Sequence, residues 1–221
     1  MDERLGRRDP WPVLGIMCAI AFLVVMGLVA RRGDLPFDEA IASFIQGLPI
    51  PVGFWEACSR AGGGTLVVVG ASFVIVALVA RRQRLALIVA LTLIAATLFT
   101  DLVKDYLERP RPPGADLIPT AGFSFPSGHA LNSTTTYGLL ALVIWRTGLR
   151  HSVRFAVAVV VGVTLPILIG LSRIALDVHH PSDVLGGWLA GVAFVALAAT
   201  LIRLLRAMDP EPAATPMVGS P

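Results

Sequence analysis

Six apolar runs, at 13–30, 63–80, 85–103, 130–145, 155–171 and 184–205, constrain this chain more than any other feature. A helix of roughly 17 to 25 residues crosses about 30 Å of hydrocarbon, and each run comes close to or reaches that length. A soluble domain of 221 residues has no use for so much apolar sequence: hydrophobic residues are 55% of the chain and the mean hydropathy is +0.76. The expected fold is therefore all-α, a six-transmembrane-helix bundle in a bilayer. The fourth run is the most polar, with Asn132, Ser133, Thr134, Thr135 and Thr136 in its first turns. Hydroxyls can bond back to the helix backbone or to neighbouring helices, so this end is expected to face inward or towards water.

Several other readings fall away. Arg4, Arg7 and Arg8 precede the first run as they would in a secretion signal, but its apolar core is longer than a signal's, and Ala30-Arg31-Arg32 offers no cleavage site. A retained anchor is expected. Cys18 in the first span and Cys58 in a loop give neither a disulfide framework nor metal-ligand spacing. The net charge of +3 is accounted for by arginines beside the spans; no basic stripe with interleaved aromatics points to nucleic acid.

Six spans put both termini on one side. Eleven of the 18 Lys and Arg residues then share that side: Arg4, Arg7, Arg8, Arg81, Arg82, Arg84, Arg146, Arg150, Arg154, Arg203 and Arg206. The other side holds Arg31, Arg32, Arg60, Lys104, Arg109, Arg111 and Arg173, and three of these belong to polar clusters with chemistry of their own. Positive charge stays inside, so a multi-pass protein of the plasma (cytoplasmic) membrane is expected, with cytoplasmic termini and its polar clusters on the extracytoplasmic face. The Arg31-Arg32 pair runs against this pattern.

Between the first two spans, Phe37, Ile41, Phe44, Ile45 and Leu48 recur at helical spacing opposite Asp38, Glu39 and Gln46, with Asp34 and Pro36 as start signals. This predicts a short interfacial amphipathic helix. Past Met208, prolines among small residues predict a disordered tail at 208–221.

Three polar clusters interrupt the apolar sequence. In the last, His179 and Asp183 stand four residues apart, so a helical turn would bring them onto one face. Asp183 would then hold one ring nitrogen and leave the other free to attack phosphorus, an arrangement suited to a nucleophilic histidine and a phosphohistidine intermediate. The middle cluster, Pro126-Ser127-Gly128-His129, opens a helix whose free amides bind anions, and Gly128 permits close approach of the backbone. His129 is placed to protonate a leaving oxygen and later to activate water. Lys104, Arg111 and Arg173 would neutralise phosphate oxygens. No metal or other cofactor is implied. Outside this set, His180 is expected to be structural, Asp101 and Asp177 to pair with arginines, Pro166 to kink its helix, and Arg109 to be either a surface charge or a headgroup contact.

Lys104 to Pro112 fits KxxxxxxRP, Pro126 to His129 reads PSGH, and Ser172 to Asp183 fits SRxxxxxHxxxD. With all three motifs complete and in order, the chain resembles the type 2 phosphatidic acid phosphatase (PAP2) family of integral membrane lipid phosphatases. The resemblance implies a membrane domain at 13–207 preceded by a cytoplasmic segment at 1–12. It also implies His179 as nucleophile, Asp183 as its orienting partner and His129 as acid. Lys104, Arg111, Ser127, Gly128 and Arg173 would be the phosphate cradle. Metal independence, sensitivity to vanadate, and a lipid phosphate or diphosphate substrate taken from the bilayer follow from the same resemblance. The phosphorylated histidine could instead serve a lipid phosphotransferase, and a phospholipid or polyprenyl phosphate transporter is a further alternative.

Overall fold

The computed structural model describes residues 9–113 and 122–207. The expected tail at 208–221 and most of the segment at 1–12 lie outside the described residues. Every regular element among the described residues is helical: α1 (Pro10–Arg32), α2 (Asp38–Gln46), α3 (Val52–Ala61), α4 (Gly64–Val79), α5 (Gln83–Leu107), α6 (Gly128–Ile144), α7 (His151–Val159), a π-helical turn (Val160–Thr164), α8 (Leu165–Ala175) and α9 (Pro181–Ala207).

Among the described residues, five helical stretches are long and apolar enough to cross a membrane: Pro10–Arg32, Val52–Val79, Gln83–Leu107, His151–Ala175 and Pro181–Ala207. The second predicted run is thus only the later part of a longer stretch, in which α3 precedes α4 across Gly62-Gly63, and Cys58 lies on α3 rather than in a loop. The fourth predicted run is α6, which at 17 residues is shorter than these five. Its Ser133, Thr134, Thr135 and Thr136 are buried, and Thr134 and Thr135 donate to the carbonyls of Ala130 and Leu131 at 2.7 and 2.9 Å. In the fifth run, Pro166 has no N–H for the carbonyl of Gly162, and the helix widens into the π turn just before it. The indole of Trp188 donates to the Pro166 carbonyl at 3.1 Å.

Small residues set the packing that positions the site. On α9, Gly187 and Gly191 lie one turn apart against α6: a Cβ on Gly187 would sit 2.7 Å from the Ser127 carbonyl oxygen, and one on Gly191 2.6 Å from Thr134 Cβ. Such close approach is how helices associate where lipid offers no hydrophobic driving force. Below the site, Phe22 of α1 meets Phe99 of α5 at 5.3 Å and Phe125 at 5.8 Å, and Phe125 is fully buried. Outward, Met17, Val67, Val79 and Leu102 are exposed, as the lipid-facing sides of spanning helices should be.

Helix α2 forms where the periodicity predicts one and buries Ile45 as its pattern requires, with Glu39 and Gln46 exposed, but Asp38 departs from that pattern. Asp38 is buried while Phe44 is 70% exposed and Ile41 40% exposed. Asp38 turns towards the bundle beside Ile45 because Arg109 and Ser182 partner it there.

Candidate active site

Three chain reversals assemble the site. Helix α5 ends with Glu108 in the left-handed region at φ 48°, its N–H donating to the Lys104 carbonyl. Pro110 and Pro112 then forbid helix and favour extended backbone at Arg109 and Arg111. Helix α8 ends in a Schellman closure: Asp177, at φ 52°, donates to the Ile174 carbonyl and Val178 to that of Arg173. This turns the chain back on itself and sets His179 N 3.3 Å from the Arg173 carbonyl. Asp177, expected to pair with an arginine, accepts from Gln46 at 3.0 Å among the described residues. Third, α9 begins at Pro181 with Asp183 in its first turn, and the carboxylate accepts the His180 N–H at 2.8 Å, half of a capping box.

His179 Nδ1 lies 3.5 Å from Asp183 Oδ2, and both residues are buried. The pair does not share a helical turn: His179 precedes α9 and Asp183 sits in its first turn, so the four-residue spacing closes a cap instead. Ser124, a residue without any motif, bridges them. Its hydroxyl donates to Asp183 Oδ2 at 2.5 Å and lies 3.4 Å from His179 Nδ1. The opposite ring nitrogen, Nε2, faces Arg111 Nη1 at 3.3 Å. Arg111 is itself aimed by carbonyls, donating to Gly122 at 3.0 Å and Val178 at 2.8 Å. Burial pushes the His179 pKa down to about 4; Asp183 opposes that shift, while Arg111 and Arg173 add to it. At neutral pH the ring is therefore uncharged, with Nε2 directed at the cations.

Arg173 is buried and donates to the hydroxyl of Ser59 on α3, a second partner that no motif announces. Ser127 caps α6, and its own N–H donates to the Asp183 carbonyl at 3.0 Å, tying the middle cluster to the last. Gly128 passes so near α5 that a Cβ there would stand 3.3 Å from Thr100 Cγ2. His129 follows in the first turn, with Arg173, His179, Lys104 and Arg111 all within electrostatic reach. Its ring rests on the α3–α4 junction: a Cβ on Gly62 would lie 3.1 Å from His129 Cδ2 and 2.3 Å from Ile169 Cγ2. The structure thus brings all eight sequence-selected residues into one region of the bundle.

Arg109 is neither a surface charge nor a free headgroup contact. It is 4% exposed and donates to Asp183 at 2.6 Å, Ser182 at 2.8 Å, Asp38 at 2.9 Å and Asp34 at 3.0 Å. Burial works against its charge, but the surrounding carboxylates outweigh it and raise its pKa. From the site a cavity of about 660 Å³ runs between α4 and α5, with Lys104, Gly128 and His129 at one end and Leu66, Val67 and Leu93 along its walls. Its lining on α5 extends back to Ala90, roughly 20 Å of helix from Lys104.

What this geometry defines is a membrane-embedded helical bundle with a cationic, histidine-bearing pocket at the head of an apolar groove. The chain belongs to the PAP2 superfamily, whose family model matches residues 85–206. Over 95 residues it is 34% identical to phosphatidylglycerophosphatase B of Bacillus subtilis (strain 168), covering 43% of this chain and 47% of that protein. The chain therefore spans about half the length of the curated relative it matches. Two solved structures share the fold. A transmembrane PAP2 type phosphatidylglycerolphosphate phosphatase from Bacillus subtilis superposes with a TM-score of 0.75 at 24% identity, covering 88% of this chain and 98% of that one. Aquifex aeolicus LpxE superposes with a TM-score of 0.60 at 21% identity, covering 76% and 97%.

Proposed function

We propose that this protein is a membrane phosphatase that removes a terminal phosphate from a lipid phosphate or lipid diphosphate through a phosphohistidine. The observation that carries the proposal is the His179 ring held between Asp183 and Arg111, with Nε2 facing the cations. Nε2 attacks phosphorus and the bond from phosphorus to the leaving oxygen breaks, while His129 supplies the proton that oxygen needs. Lys104, Arg111 and Arg173, with the amides at the start of α6, stabilise the equatorial oxygens. Water then attacks the phosphohistidine, His129 takes its proton, and phosphate leaves with the imidazole restored.

The groove between α4 and α5 supports a lipid substrate, since it offers apolar walls to a chain whose phosphate sits at Lys104 and His129. Phosphatidic acid, phosphatidylglycerol phosphate and polyprenyl diphosphate all have this form. In the bilayer α6 serves as the sixth span and α2 lies at the interface through Phe44 and Ile41. Arg203 pairs with Asp9, and Arg82, Arg146 and Arg206 line one cavity, at the end of α9 some 40 Å of helix from Pro181. That cationic end is read as cytoplasmic, which places the termini inside and the site on the extracytoplasmic face. Purified protein given each lipid in chelator should release phosphate from at least one, and His179→Ala should release none; undiminished release by the variant would refute the assignment.

A further inference from the structure

Outside the motifs, the buried ionic network around Arg109 is more than a fastening. Asp38 of α2 makes three bonds to two distant parts of the structure: it accepts the backbone N–H of Ser182 at 2.8 Å, the Ser182 hydroxyl at 2.7 Å and Arg109 at 2.9 Å. Ser182 in turn accepts from the same guanidinium nitrogen that holds Asp183. Asp183 is fully buried and Asp38 is 3% exposed, so neither carboxylate has bulk water as an alternative partner. The guanidinium is planar and bidentate, with one nitrogen on Asp183 and the other on Asp38. Any displacement of Asp38 is therefore carried by a rigid fork to the carboxylate that orients His179.

We infer that Asp38 is a positioning residue of the reaction: through Arg109 and Ser182 it fixes the first turn of α9, and with it Asp183 and the line of attack of His179. The inference rests on the proposed phosphatase reading. It assigns a role to α2, which contributes no residue to the three motifs and precedes the segment matched by the family model. Asp34, the third carboxylate on Arg109, is 75% exposed by side chain and carries none of this role.

The test compares wild type, Asp38→Asn and Ser182→Ala, each checked by thermal unfolding, on a short-chain soluble phosphate ester. Two inhibitors are titrated alongside. Vanadate needs a correctly aimed imidazole, whereas inorganic phosphate needs only the cations. Asp38→Asn should lower kcat roughly 10- to 100-fold with KM unchanged, in the range seen when a group that orients a catalytic side chain is lost. Vanadate should bind correspondingly more weakly and phosphate as before. A folded Asp38→Asn protein with kcat within twofold of wild type would overturn the inference, as would a rise in KM at constant kcat. Should Asp38→Asn fail to fold, Ser182→Ala decides by the same split, with a smaller fall in kcat expected and an unchanged kcat refuting. A wild type that releases no phosphate would refute the phosphatase reading instead.

Discussion

Arg109→Gln removes the cation shared by two buried carboxylates and keeps much of the side chain's volume. Asp183 would retain the Ser124 hydroxyl and the His180 N–H, and Asp38 would retain the Leu35 N–H and both Ser182 groups. Hydrogen bonding is thus preserved in part, but no counter-charge replaces the guanidinium at 2.6 and 2.9 Å. Deleting one partner of a buried pair costs about 3–5 kcal/mol, and the exposed Asp34 adds at most about 1 kcal/mol. With the remaining donors softening the loss, a destabilisation of about 4 kcal/mol is expected. For a chain of this size that is a fall of about 8–16 °C in Tm. Arg109→Lys should lie between, since an ammonium keeps the charge but cannot bridge both carboxylates as a fork. Thermal unfolding in detergent, paired with phosphate release, reads both effects. Glutamine at 109 with Tm within about 2 °C of wild type and activity within a factor of two would refute the reasoning.

Three further outcomes are expected. Burial holds the His179 pKa at about 4, below the value near 6.5 of an unfolded chain. The acid limb of kcat/KM should therefore fall near pH 4; a limb at 6.5 would contradict this. The unfolded chain binds that proton first as pH drops, so the associated stability is complete above about 6.5. It is lost as pH falls towards 4, by about 3 kcal/mol in all. Along the groove, Val67→Trp should raise KM for long-chain lipid phosphates several-fold while leaving a short-chain ester unaffected; equal effects on both would show that the groove does not hold the chain.

The sequence made the apolar runs and the three clusters legible because their signals are local. Residue type and spacing suffice to mark a spanning helix within roughly 17 to 25 positions, and a capped α6 or the pair His179 and Asp183 within far fewer. What stayed hidden depends on contacts between distant segments. Arg109 and Asp38 stand 71 positions apart, and each alone resembles a solvated charge. Helical periodicity assigned Asp38 to the outer face because polar residues usually face water, and an ion pair inside the bundle reverses that rule. Ser124 and Ser59 are lone serines whose importance comes entirely from what they touch. The pair His179 and Asp183 shows a subtler case, in which the spacing predicted proximity correctly although a helix cap, not a helical turn, supplies it. The apolar run at 63–80 gave no sign that Gly62 and Gly63, at its start, leave room for the ring of His129.

The central claim is that His179 carries the phosphoryl group, and the most direct measurement is rapid quenching of wild-type protein mixed with phosphate-labelled lipid substrate, followed by peptide mapping. The label should appear transiently on the peptide containing His179, be stable in base and labile in acid, and be absent from His179→Ala. Label on any other residue, or steady phosphate release with no labelled protein at any quench time, would contradict the account.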